Sequence, residues 1–336
     1  PNYFAIDSEP RFETPSFRRS NAWRATAVEV QAVRETVGIN EITNFGKYMV
    51  TGSEARGWLD HIMAGRVPNQ GRMSLTPMLS HRGKLIGDFT ITCLAEESFQ
   101  LMASFGMQAI HMRWFQQNLE GDVSIENVST HRIGFQIAGP NSRELLSRCT
   151  RANVSGDAFR FMDAKNINIG MCDALVQRVS YTGDLGYEIF VDADKQRALY
   201  NTLVEAGKDL GLRPFGMRAM MSLRLDRFFG SWNSEFSPDY TAAETGLDRF
   251  ISYNKPADFI GKAAATAEKS TGPARQLCAF EVDVEDADVH AYEPISINGK
   301  VVGFCTSGGY SHHAQKSIAQ GFVPTEMITD ELEVEI

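Results

Sequence analysis

Apolar residues recur along this chain at two spacings, three-to-four and two, and the switches between them mark its elements. After a polar lead-in over residues 1–24, Val30, Val33 and Val37 stand at helical spacing and Gly38 supplies a stop. Residues 42–51 (ITNFGKYMVT) predict a strand. Ser53 is placed to cap a helix whose Ala55, Trp58, Leu59, Ile62 and Met63 share one face, with Gly65 beyond it. Strands are predicted over 74–80 and 84–94, joined by a turn at His81-Arg82-Gly83, and over 99–104, before a helix over 109–119. A similar order repeats. A strand over 131–138 leads through Gly139-Pro140-Asn141 into a helix carrying Leu145, Leu146 and Cys149. Strands at 175–180 and 186–191 precede a helix opened by Asp194 and another started by Pro214. Past Gly261, short strands at 276–282, 294–297, 301–307, 317–323 and 332–336 alternate with turns, which predicts a small all-β unit. The pattern therefore predicts α+β units followed by a β-barrel-like tail.

A length of 336 residues suffices for more than one domain. Hydrophobic residues at 43% and charged residues at 22% are ordinary for a soluble globular protein. The formal net charge of -9 argues against broad nucleic-acid binding, while a local basic pocket for an anionic cofactor stays open. Five scattered cysteines lack metal-ligand spacing and are expected to be buried free thiols in a reducing compartment, hence a cytoplasmic setting. No apolar run is long enough to span a membrane, and no stretch reads as a signal peptide. A start at Pro1 and a stop inside the alternating run ELEVEI are what a piece of a longer polypeptide would show.

Residues 180–191 (SYTGDLGYEIFV) carry the most chemical information. Glu188 lies in an apolar run of Tyr187, Ile189, Phe190 and Val191, where burying a carboxylate is costly unless something donates hydrogen bonds to it. A flat heterocycle with an amino group beside a ring N–H would be such a donor pair; a solvent-facing edge strand is the other reading. Asp88 stands in LIGDFTI beside Gly87, which permits close approach of a ligand or backbone. Apolar surroundings would raise its pKa towards that of a general base, whereas the alternation Asp88, Thr90, Thr92 also fits a solvent-facing row. In GMRAMMSLRLDRFFG (216–230), Arg218, Arg224 and Arg227 are crowded by apolar residues. A partly buried arginine usually holds a carboxylate, with Glu244 or Asp226 as partner; an anionic tail of a ligand is the alternative. In TSGGYSHH (306–313), two glycines allow a tight turn with Tyr310 and His312 exposed. Adjacent histidines on a strand point to opposite faces, so no metal site is expected. A GxSxG elbow, a P-loop and a GxGxxG after a strand are missing.

In order, VTGSEARGWLDHIMAG (50–65), GRMSLTPMLSHRGKLIGDFTI (71–91), IAGPNSRELL (137–146), SYTGDLGYEIFV (180–191), MSLRLDRFFGSW (221–232), TAAETGL (241–247), DFIGK (258–262) and VVGFCTSGGYSHHAQKSIAQGFVP (301–324) make the chain resemble the glycine cleavage T-protein (aminomethyltransferase) family. MSLRLDRFFGSW, AETGLDRF and TSGGYSH look closer to the folate-binding half of dimethylglycine and sarcosine dehydrogenases. The resemblance implies an α+β, three-domain, cloverleaf-like fold around a central channel. The implied domains are 1–41 plus 123–212, 42–122 plus 213–258, and a barrel or jelly-roll-like 259–336. It also implies tetrahydrofolate as cofactor. The implied activity is capture of a one-carbon unit, as iminium or formaldehyde, from oxidative demethylation of an N-methyl amine to give 5,10-methylene-tetrahydrofolate. A fused or partner FAD-containing oxidoreductase would do the oxidation, since no flavin fingerprint is present. Alternatives are a folate-dependent methyltransferase acting on an O- or S-methyl donor, and a folate-binding module without catalysis. By the same resemblance Asp88 is the catalytic carboxylate and Glu188 the carboxylate that grips the pterin edge. Tyr181, Ser104 and Arg218 or Arg224 are further implied folate contacts. The chain departs from the pattern in two places. Gly87-Asp88 stands where two adjacent acids are usual, and the family's early helix arginine falls on Met220.

Overall fold

A computed structural model describes residues 1–6, 10–329 and 331–336; residues 7–9 of the expected lead-in lie outside the described residues. Helix α1 (Ala22–Glu35) ends before the expected Gly38 stop, because Val37 opens strand β1 (Val37–Glu41). Val37 and Ile39 are buried between strands, and burial in a sheet outweighs their helical spacing. Strand β2 (Phe45–Thr51) starts three residues later than expected. Helix α2 (Ala55–Ile62) lacks the predicted cap: the Ser53 hydroxyl instead donates to the Asp122 carboxylate. Strands β3 (Met73–Leu79), β4 (Leu85–Ala95) and β5 (Ser98–Ser104) form the expected antiparallel run, followed by α3 (Gln108–Gln117).

Strand β6 (Ser124–Asn127) has only a weak pattern of its own and pairs with β2. Strand β7 (Arg132–Ala138) and helix α4 (Ser142–Cys149) follow as expected. Strands β8 (Ala164–Ile169) and β9 (Cys172–Gln177) form a hairpin, then come β10 (Gly186–Asp192) and α5 (Gln196–Gly207). Pro214 closes a short strand β11 (Leu212–Pro214) instead of opening a helix; α6 (Met217–Leu225) begins after it. Helix α7 (Ala242–Thr245) is closed by a capping box between Thr241 and Glu244. Helix α8 (Lys262–Thr271) occupies the start of the stretch expected to be all-β. Strands β12 (Arg275–Val282), β13 (Pro294–Ile297), β14 (Lys300–Ser311) and β15 (Lys316–Pro324) complete the chain. The predicted strand at 332–336 is reduced to one bridge, Ser296 to Glu335.

These strands make three sheets: a six-stranded sheet ordered β11-β1-β7-β10-β9-β8, a five-stranded sheet ordered β3-β4-β5-β2-β6, and a four-stranded sheet ordered β12-β15-β14-β13. The fold is α+β, with two α+β units and a barrel-like sheet unit at the C-terminal end. Strand alternation decides what lies between the first two sheets. On β10, Tyr187, Ile189 and Val191 pack with Leu145 of α4 and Leu199 of α5, so Glu188 and Phe190 face away from those helices. On β4, Phe89, Ile91 and Cys93 pack with Leu59 of α2 and Phe115 of α3, so Asp88, Thr90 and Thr92 face away likewise. Phe190 of the first sheet meets Met73 and Met102 of the second. The Gln177 amide donates to the Thr92 hydroxyl at 2.7 Å, from β9 to β4. The two sheets thus turn their helix-free faces to each other, with a polar seam inside.

Candidate active site

Glu188 lies on an inner strand, hydrogen-bonded to β7 on one side and β9 on the other, and is 7% exposed. That excludes the edge-strand reading. Its cross-strand neighbours are Gln136 and Gln177, both uncharged. Loss of water pushes its pKa up to about 8, opposed by the positive charge of Lys47 on the facing sheet. Lys47 is fully buried; its ammonium donates to the Thr43 carbonyl at 2.9 Å and the Phe45 carbonyl at 3.0 Å. Desolvation lowers the Lys47 pKa to about 8, against the field of Glu188. Nearby polar atoms also lack protein partners: both amide atoms of Gln100, which is 1% exposed, and Oε1 of Gln177. Buried orphans of this kind need water or a ligand.

Asp88 keeps partial solvent access, yet the loss of water around it pushes its pKa up to about 6, only partly offset by its own backbone N–H. The missing Gly87 side chain has a measurable reason: a Cβ there would sit 2.7 Å from Nε2 of His111 and 2.5 Å from Phe89. His111 is fully buried behind β4, with Nε2 at 3.2 Å from the Ile86 carbonyl and Nδ1 at 3.1 Å from the Tyr48 hydroxyl. Because a carbonyl only accepts, Nε2 carries the proton and the ring is neutral, in line with burial lowering its pKa to about 4. Tyr181 completes this end of the site. Its hydroxyl donates to the Gly230 carbonyl and its ring stacks on Phe229 at 5.8 Å. Burial raises its pKa, Arg224 opposes that, and Asp88 and Glu235 add to it, so all three charges act on Tyr181.

The turn carrying Tyr181 is fixed from behind. Arg34 of α1 donates to Asp184 at 2.6 Å and to Asp226, after α6, at 2.8 Å. Arg227 packs against Gly183 so closely that a Cβ there would lie 2.5 Å from its side chain. Gly183 has a φ of 76°, which glycine adopts without strain.

The arginines separate. Arg224 is fully buried and paired at 2.8 Å with Glu235, not with the expected Glu244 or Asp226. Glu244 instead takes Arg275 and Lys84, and Asp226 takes Arg34. Two Arg224 nitrogens, Nε and Nη2, have no partner. Arg218 is exposed and paired with Glu13. Ser104 ends β5 on the same face as Gln100 and Met102, towards the seam. In 306–313 the glycines do not turn the chain. Gly308 and Gly309 lie within β14, where Gly308 makes room for the Val289 carbonyl. Tyr310 and His312 are not free either: both pack on Trp23, with ring centroids 5.6 and 5.0 Å away. A separate concavity of about 540 Å³ beside α4, lined by Arg143, Glu144 and Asn153, holds neither isolated carboxylate. The charges in the seam, not the size of that hollow, mark the candidate site.

The charges of Asp88 and Arg224 both act on Tyr181, Glu188 feels Lys47 from the facing sheet, and Arg218 pairs with Glu13. Lys47, Gln100, Gln177 and His111 are additions that sequence reasoning missed. Lys47 carried the same signal as Glu188, a charge inside a strand pattern (FGKYMV), and could have been found by it. The chemistry available is an isolated carboxylate for neutral donors and, elsewhere in the seam, a second carboxylate titrating near neutrality. All five cysteines are free thiols, four of them buried. Among the described residues there is no metal-holding group of His, Cys, Asp and Glu, and no helix long and apolar enough to cross a membrane.

Two α+β units enclosing a polar seam, with a barrel-like sheet attached, define a class of two-part chains. The GCVT N-terminal domain matches residues 1–255, and the glycine cleavage T-protein C-terminal barrel domain matches 275–336. The chain belongs to this family. The mitochondrial dimethylglycine dehydrogenase of Mus musculus is 34% identical over 100% of this chain and 39% of that protein. The chain thus spans about two fifths of the length of that relative. An aminomethyltransferase of Geobacillus sp. (strain WCH70) is 31% identical over 92% of this chain and 85% of that protein. The crystal structure of glycine cleavage system aminomethyltransferase T from Bartonella henselae matches with a TM-score of 0.84 at 23% identity, covering 92% of this chain and 84% of that one, and shows the shared fold.

Proposed function

We propose that this chain is a tetrahydrofolate-dependent one-carbon transferase, taking up the unit released by oxidative demethylation of an N-methyl amine. Similarity to dimethylglycine dehydrogenase over 100% of this chain, which is 39% of that protein, favours the amine donor. A flavin-bearing oxidoreductase, fused or separate, would perform the oxidation. The observation that carries the reading is a pair of carboxylates on the helix-free faces of the two sheets, Glu188 with no protein donor among the described residues and Asp88 with its pKa pushed up to about 6 by lost water.

The residues fit the folate. When bound, tetrahydrofolate supplies the nitrogens that accept the one-carbon unit. Glu188 accepts hydrogen bonds from the amino group and adjacent ring N–H of the pterin edge, replacing water lost on burial. Both amide atoms of Gln100 and Oε1 of Gln177, unsatisfied among the described residues, offer further partners to a flat polar ring. Asp88 takes the proton that leaves the reacting nitrogen as its bond to carbon forms. Tyr181, held by Gly230 and Phe229, walls the site beside Asp88. Of the two arginines, Arg224 remains the candidate near the site, while exposed Arg218 lies outside it.

Calorimetric titration with 5-formyltetrahydrofolate, a stable analogue, tests the reading. Wild type should bind, and Glu188→Gln should bind at least about tenfold more weakly, since charge-assisted acceptance is lost. No binding to wild type would overturn the assignment. Product analysis with an N-methyl amine oxidase present separates methylene transfer from the methyl-transfer alternative.

A further inference from the structure

We propose that Lys47 is a positioning residue for the pterin: its buried ammonium favours the ionised form of Glu188, in which both carboxylate oxygens can accept hydrogen bonds from a ligand. The inference rests on the folate reading above and deepens it. Its ground is the placement of two charges on facing sheets. On β2, Tyr48 and Val50 point into the helix-covered core, so Lys47 points the other way, into the seam. Its cross-strand partner Met102 packs with Phe190, two residues along β10 from Glu188. Lys47 is fully buried and Glu188 nearly so. An unpaired buried ammonium is costly, yet among the described residues Lys47 is held by backbone carbonyls and by no ion pair within 4 Å. Two of its three N–H groups are used on the Thr43 and Phe45 carbonyls.

The cross-strand neighbours of Glu188 are Gln136 on β7 and Gln177 on β9, and Gln177 reaches Thr92 on β4, the register partner of Gln100 on β5; all four are uncharged. Lys47 is the charge that acts on Glu188, and Glu188 the charge that acts on Lys47. Burial drives both towards their neutral forms, and their mutual attraction opposes it. A protonated Glu188 would present one O–H and lose an acceptor site towards two donors. The positive charge of Lys47 shifts that balance back while standing far enough off to leave the carboxylate free for a ligand.

The test is the pH profile of 5-formyltetrahydrofolate binding, measured by calorimetry from pH 6 to 10 on wild type, Lys47→Gln, Lys47→Arg and Glu188→Gln. Lys47→Gln should bind at least about tenfold more weakly at pH 7, the size of one pKa unit, and recover as rising pH ionises Glu188 directly. Lys47→Arg should retain binding, and Glu188→Gln should lose it without recovery at high pH. A loss in Lys47→Gln that does not change with pH would show that Lys47 only ties down the Thr43–Phe45 carbonyls, and would overturn the proposal. Unchanged binding would overturn it too. Lys47→Met, an apolar substitute of similar length, serves if circular dichroism shows Lys47→Gln misfolded. Failure of wild type to bind would instead overturn the folate reading itself, whereas weak binding by Glu188→Gln beside normal Lys47→Gln defeats this inference alone.

Discussion

Asp88 owes its raised pKa to lost water. Its pKa is raised to about 6 because the surrounding protein strips away solvent and no cation compensates. A base must be deprotonated to act, so the proposed transfer should be fast above that value and fall about tenfold per pH unit below it. The limb should appear in kcat/KM, which reports the free protein. Asp88→Asn should slow transfer by roughly a hundredfold to ten-thousandfold while leaving folate affinity nearly intact. Parallel loss of binding and turnover would make Asp88 a structural residue. Much of this was legible from residues alone: an acid among Leu85, Ile86, Phe89 and Ile91, beside a glycine. The letters did not separate Arg218 from Arg224, because an arginine on a helix surface and one in a core look alike in a string of letters. Glu13, some two hundred positions away, decides that Arg218 belongs to the surface.

At the scale of the element, β4 is shaped by what lies behind it. His111 approaches the strand at Gly87, and the neutral ring is held by Ile86 and Tyr48. Gly87→Ala would place a methyl 2.7 Å from His111 Nε2, inside contact distance. The strand must shift, and Asp88 moves with it. Turnover should fall by about tenfold or more while the chain stays folded, since small misplacements of a reacting group are costly. Unchanged turnover would show that the Asp88 position tolerates displacement. The periods of apolar residues gave most helices and strands because burial on one face is a local demand. They failed where neighbours overrode them. Val37 became strand because β7 and β11 flank it, and Ser53 left its cap for Asp122.

For the whole molecule, one buried ion pair ties the barrel-like sheet to the rest. Arg224 of α6 pairs with Glu235, which also accepts from the Ser231 N–H at 2.8 Å and the hydroxyls of Thr306 and Ser307 on β14. Arg224 reaches Gln320 on β15 as well. Glu235→Gln would strand a fully buried guanidinium charge, so it should lower unfolding free energy by about 3–5 kcal/mol. Urea midpoints would read this; a loss below about 1 kcal/mol would mean that the pair is not the tie proposed.

From its sequence alone the chain specified its units of structure, its family resemblance and the two acids worth watching, because periodicity and out-of-place charges are written locally. Which charges meet was settled only by tertiary structure. Lys47 and Glu188 lie on separate sheets, Arg224 finds Glu235 instead of nearer or more obvious acids, and α8 stands at the start of a stretch expected to be all-β. A linear pattern records which residues avoid water. It does not record which ones share the space from which water has been removed.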